Sequence, residues 1–194
     1  KRTMKTNERL YLDVHVLQTV PPSCVNRDDT GSPKTAVYGG VPRARVSSQS
    51  WKRAMRLLFR DSLPPEALGV RTKRIVDLVA QAITQIDPDA DADELALGIL
   101  NKAGLKITSR EDGTGALFFM SRAQAEALAH LALADEPPTA AQAKKALEQA
   151  PGVDIVLFGR MVASDPSLNT DACAQVAHSL STHKVTNEFD YFTA

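Results

Sequence analysis

The segment from Gln49 to Arg60 constrains the fold most, because it fits an amphipathic helix on both faces at once. Trp51, Ala54, Met55, Leu58 and Phe59 recur at i, i+3, i+4, i+7 and i+8, while Gln49, Lys52, Arg53, Arg56 and Arg60 fall opposite. Ser47 or Ser48 offers a hydroxyl to cap the helix start, and Pro42-Arg43-Ala44-Arg45 stands just before it. Cations beside free backbone N–H groups suit an anionic, extended ligand. A glycine-punctuated loop, with Gly31 and Gly39-Gly40, leads into this region.

Charge is divided along the chain. The first 60 residues hold 12 Lys and Arg against 4 Asp and Glu, and the remainder holds 11 against 19, so a formal net charge of zero sums +8 and −8. That split points to a polyanion site on the first part, to association between unlike surfaces of neighbouring copies, or to both. No apolar run approaches the length of a membrane span. The N-terminus lacks the apolar core of a secretory signal, and Lys1-Arg2-Thr3 ahead of Met4 reads as a remnant before a natural start. A cytoplasmic protein without a membrane partner is the expectation.

Residues 10–18, LYLDVHVLQ, alternate like a half-buried strand, which Pro21-Pro22 stops. After Pro64-Pro65 the composition turns Ala- and Leu-rich, and the patterning predicts helices at about 66–86, 91–103, 121–134 and 139–150. Ser121 with Gln124 and Thr139 with Gln142 form capping boxes at the last two starts. Residues 105–122 read as a hairpin turning at Gly113 and Gly115. VDIVLF at 153–158 reads as a short buried strand, 171–181 as a helix capped by Thr170, and 189–194 as an extended aromatic piece at which the chain looks truncated. The expected class is α+β, in three parts: an α/β core at 1–60, a helical insertion carrying a short hairpin at 61–150, and the core continued at 151–194.

Catalytic and metal chemistry find little support. Gln49 stands where a Ser-x-x-Lys pair ending at Lys52 would need serine, and neither a Gly-x-Ser-x-Gly elbow nor a phosphate-binding Gly-x-x-x-x-Gly-Lys motif occurs. Cys24 and Cys173 lie far apart, and His178 and His183, five apart, do not share a helix face, so no zinc site is expected. Asp28-Asp29 is the one carboxylate pair near the basic helix. It suits a magnesium site for phosphodiester cleavage, but more readily an Asx-type turn beside Arg27, Thr30 and Gly31.

The run N-R-D-D-T-G-x-P-K-x-A-x-x-G-G-x-x-R-x-R-V-S-S-Q-S-x-K-R-A-x-R, from Asn26 to Arg56, closely resembles the CasC family, the repeated backbone subunits ("Cas seven", RAMP superfamily) of CRISPR type I-E Cascade complexes. GVDIVLFGRM at 152–161, AHSLSTHKV at 177–185 and DYFTA at 190–194 resemble it too, whereas 61–150 matches in character more than in motif. The resemblance implies an RRM-like (ferredoxin-like) palm with a large helical finger insertion, the second half of the palm and the thumb lying beyond this sequence. It implies a noncatalytic subunit that binds CRISPR RNA, stacks head to tail with other copies, meets other Cascade subunits and presents the guide to target DNA, with no cofactor and no metal. By motif match the expected RNA contacts are Asn26, Arg27, Lys34, Arg43, Arg45, Ser47, Gln49, Lys52, Arg53 and Arg56, with Met161 wedged near displaced nucleotides. The alternative is a metal-dependent ribonuclease like the type III backbone subunits, with Asp28 or Asp29 as the catalytic carboxylate.

Overall fold

A computed structural model describes residues 10–162 and 165–188. The remnant reading of the first residues and the 189–194 piece with its DYFTA match lie outside them. The class is mixed α+β with small antiparallel pairings, divided into two compact units, one of residues up to Arg45 and from Ser181 on, the other Val46–Leu180.

In the first unit β1 (Thr35–Tyr38) and β2 (Val41–Val46) form a hairpin in the register Thr35↔Ala44 to Tyr38↔Val41. Gly39 and Gly40, at φ 64° and 77°, both lie in the left-handed region that a tight two-residue hairpin turn requires. The far side of β2 is met by the returning chain, where Ser181 N–H donates to Ala44 O and Val185 N–H to Pro42 O, each at 3.0 Å. The strand expected at 10–18 is not formed. Leu12, Val14 and Val16 are 84%, 74% and 77% exposed, and no described strand pairs with them. Alternation supplies an apolar face, but a strand also needs a partner for its backbone groups.

The second unit opens with α1 (Ser48–Ser62), followed by a 3-10 turn, Pro65–Ala67, and β3 (Gly69–Thr72). Helices α2 (Ile75–Ile86), α3 (Ala92–Lys102), α4 (Arg122–Ala132) and α5 (Ala140–Ala146) enclose a core built on Ile75, Val79, Ile83, Leu100, Met120 and Leu128. Both capping boxes are present, and Ser121 extends its role by donating to Ala150 O at 2.8 Å. Arg110 ties the loop after α3 back to the bundle through Asp77 at 2.7 Å and Asp93 at 2.6 Å.

Four expectations are corrected here. The long helix at 66–86 is split, because β3 pairs with β4 (Phe118–Ser121) and the helix begins only at Ile75. The expected hairpin at 105–122 is not closed on itself; Asn101 satisfies both backbone groups of Ile107, at 2.8 and 3.0 Å, leaving β4 free for β3. VDIVLF forms helix α6 (Val153–Phe158), since a six-residue apolar run fits either state, and Asp154 Oδ1 ties the helix to β3 by accepting from Gly69 N–H at 2.8 Å. Residues 171–178 are irregular because Cys173 and Ala174 give their N–H groups to the end of α6, at Val156 O and Leu157 O. This stretch ends in β5 (Ser179–Leu180).

Candidate nucleic-acid interface

The expected contact residues fall into two sets, one in each unit. In the first unit Asp28 organises the loop. Its Oδ1 accepts from Thr30 N–H at 2.9 Å, Thr30 Oγ1 at 2.7 Å and Ser32 N–H at 2.9 Å. These bonds, led by that from the Thr30 hydroxyl, hold the carboxyl below its ordinary range. Gly31, at φ 83°, completes the turn, and Arg27 Nη1 donates to its carbonyl at 2.8 Å. The backbone then runs Lys34 N–H to Asn26 O and Arg45 N–H to Lys34 O, which places Asn26, Lys34 and Arg45 on adjoining stretches of backbone. Arg43 is committed to structure: Nε donates to Tyr38 O at 3.0 Å, Nη1 to Ser181 O at 2.9 Å, and the guanidinium lies over the Tyr38 ring.

In the second unit Ser47 caps α1 by accepting from Ser50 N–H at 3.3 Å, and it is buried. Gln49, Arg53 and Arg60 are exposed and Lys52 half-buried on one helix face. The helix packs through a side rotated from the expected stripe. Trp51 and Met55 are half-buried, with Trp51 Nε1 donating to Ser179 Oγ at 2.7 Å, but Leu58 is 61% exposed. Phe59 stacks on Phe158 with centroids 6.1 Å apart. Arg56 turns inward, its guanidinium 4.9 Å from the Phe158 centroid and 5.6 Å from that of Phe119.

Arg56 opens onto a cleft of about 470 Å³ that Arg71, Phe119, Phe158, Arg160 and Met161 also line. Burial, followed by the charge of Arg71, pushes the Arg56 guanidinium below its ordinary value. Arg160 is 5% exposed and donates to Leu168 O, Phe119 O and Leu147 O at 3.1, 3.2 and 3.2 Å, over the ring of Phe118. That anchorage fixes the turn from which Met161 stands out, 84% exposed. Sequence reasoning missed Arg71, Phe119 and Phe158. Arg71 was assigned to a continuous helix, and only the β3–β4 pairing brings it opposite Phe119.

Among the described residues no group of His, Cys, Asp and Glu is arranged to hold a metal ion, and no helix is long and apolar enough to cross a membrane.

A family model described as CT1975-like protein, of the Cas type, matches residues 12–194. The chain belongs to that family. Among solved structures, a chain of a "CRISPR RNA-guided surveillance complex" is 33% identical with a TM-score of 0.59, covering 86% of this chain and 57% of its own. A chain of a "CRISPR RNA-guided surveillance complex, pre-nicking" is 31% identical with a TM-score of 0.58, covering 84% and 50%. The CT1975-like chain thus spans 57% and 50% of the length of these two structures. A comparison with curated proteins found no match. Family and structural likeness together make this a CRISPR-associated protein.

Proposed function

We propose that this chain is a noncatalytic CRISPR RNA-binding subunit of the CasC type, which joins other subunits of a Cascade-like complex in the cytoplasm. Copies stack head to tail along the guide and hold it for pairing with target DNA. The hairpin unit then belongs to an RRM-like palm and the helical bundle to a finger lobe. The observation that carries this reading is the cationic face of α1, with Gln49, Lys52, Arg53 and Arg60 on one side of a capped helix. Cations of this kind position a strand through its phosphates and leave its base sequence unread.

The hydrogen bonding of Asp28 supports the noncatalytic reading over the ribonuclease, because one carboxylate oxygen already accepts three hydrogen bonds within the turn. The test is binding of single-stranded RNA across a salt series. Lys52→Ala with Arg53→Ala is expected to weaken binding equally for unrelated guides and to lower the slope of log K against log salt by about 1.4, two phosphate contacts at roughly 0.7 each. Unchanged affinity and slope would overturn it.

A further inference from the structure

The side chain of Met161 is 84% exposed, so its own surroundings do not fix where it points. Its direction is inherited from the backbone on either side. On one side Arg160 exchanges backbone hydrogen bonds with Thr170, at 3.0 and 2.8 Å, and its guanidinium reaches Leu147 O at the end of α5 at 3.2 Å. On the other side Val162 N–H donates to Asn169 Oδ1 at 2.7 Å. Asn169 directly follows the 3-10 turn Pro166–Leu168, so the position of that turn decides where Asn169 sits.

Leu168, 2% exposed, pins the C-terminal end of the turn to the core. The N-terminal end is pinned from α5. Lys144 Nζ donates to Asp165 Oδ2 at 3.1 Å and to Ser167 Oγ at 2.8 Å, and Ser167 Oγ donates to Asp165 Oδ1 at 2.6 Å. The Ser167 hydroxyl, followed by the Lys144 ammonium, holds the Asp165 carboxyl below its ordinary range. Gly104, at φ 101° just past α3, leaves room for the pair, because a Cβ there would lie 2.9 Å from Asp165 Oδ2 and 3.3 Å from Lys144 Cε. The two side chains remain 38% and 24% exposed, and an ion pair this open adds little to stability. Its geometry is nevertheless fixed by three hydrogen bonds, without which the turn is free to pivot about Leu168.

We propose that Lys144 is a positioning residue for Met161, acting through Asp165 and Ser167 on the 3-10 turn and through Asn169 on the backbone at Val162. The inference rests on the RNA-binding reading for what Met161 touches, and two measurements on the full chain separate them. The first follows the Met161 methyl resonance. Lys144→Leu and Asn169→Ala are expected to shift it, and Lys144→Arg to restore the wild-type position. Ser167→Ala, a mild change at an exposed residue, is expected to move it part of the way along the same line as Lys144→Leu. Lys145→Leu removes the same charge from the exposed neighbour and is expected to leave it in place. A resonance unmoved by both Lys144→Leu and Ser167→Ala, or moved equally by Lys145→Leu, would overturn the relay. The second measurement is single-stranded RNA binding across a salt series. Lys144→Leu is expected to weaken binding by up to about fivefold, the most a pair this exposed transmits. The slope of log K against log salt is expected to stay the same, because Lys144 is spent within the chain. A slope lowered by about 0.7 would make Lys144 a phosphate contact and overturn its positioning role. A wild-type chain that binds no RNA overturns the proposed function, and the methyl series still decides the relay.

Discussion

The guanidinium of Arg56 lies 4.9 Å from the ring centroid of Phe158, on the packed side of α1. A helical wheel places Arg56 among the solvent-facing cations, yet it holds α1 to the rings of α6 and β4. A charge in that position contributes to the packing of α1, and under the proposed function it would serve binding as well, so measurements that treat it as a surface cation will confuse the two.

Replacing Arg56 therefore has a consequence for stability. A half-buried cation–π contact is worth about 1 kcal/mol, between the exposed and desolvated limits. Arg56→Ala is expected to lower the urea midpoint by the equivalent of about 1 kcal/mol without changing the denaturant slope. Arg53→Ala, on the exposed side, is expected to leave the midpoint unmoved while weakening RNA binding. Equal midpoints for the two variants would show that the ring contacts contribute nothing.

Arg160 presents the opposite case, a guanidinium buried without a carboxylate. Its donors satisfy carbonyls from β4, the end of α5 and the 3-10 turn Pro166–Leu168, so deleting it takes a buried donor from each, with Leu147 O alone keeping a second one, from Gln124 Nε2. At about 1–3 kcal/mol for each buried unsatisfied group, Arg160→Ala is expected to cost about 4 kcal/mol, a large part of a typical domain's stability. Chemical denaturation and amide exchange at Phe119 and Leu147 report it. A loss under about 1 kcal/mol would mean that water replaces the guanidinium.

Much of this was legible in the sequence where local chemistry decides structure. Ser121 with Gln124 and Thr139 with Gln142 cap as their spacing requires, and Gly39-Gly40 bends the chain, although the strands on either side of it are not expected from the sequence. Ser47, one of two candidate hydroxyls, caps α1. What escaped depends on partners distant in sequence. VDIVLF is apolar enough for strand or helix, and the contact of Asp154 with Gly69 selects the helix. The rotation of α1 was invisible because Phe119 and Phe158, which draw Arg56 inward, are remote from it in the chain. Arg71 went unnoticed for the same reason.

The Gly39-Gly40 turn gives a direct test of hairpin register. Both residues have positive φ, and nothing lies within 4 Å of a Cβ placed on Gly40, so the penalty for a side chain there is backbone strain alone. Gly40→Val is expected to destabilise the hairpin by about 1–2 kcal/mol. Gly39→Asn, which tolerates the left-handed region, is expected to be nearly neutral. Cross-strand nuclear Overhauser effects between Tyr38 and Val41 would fade in the first variant and persist in the second.

The loop held by Asp28 should respond to pH in a direction fixed by its hydrogen bonds. The folded carboxyl titrates below its ordinary value, so the charged form is favoured by the native loop. Its contribution is complete above the unfolded carboxylate pKa and is lost as pH falls through the lower folded value. Protonation removes the acceptor that orders Thr30 and Ser32, and the carbonyl of Gly31 that Arg27 holds belongs to the same turn. Amide protection at Thr30 and Ser32 is therefore expected to stay constant from neutral pH down to the ordinary carboxylate range and to fall only below it. Asp28→Asn keeps one acceptor oxygen without the charge, and is expected to show weaker protection that no longer changes with pH. Asp28→Ala removes the acceptor altogether and should release Arg27 from the turn, weakening RNA binding without any added metal. If Asp28→Ala bound RNA as tightly as the wild type, the order of this loop would be irrelevant to the contact that Arg27 is proposed to make.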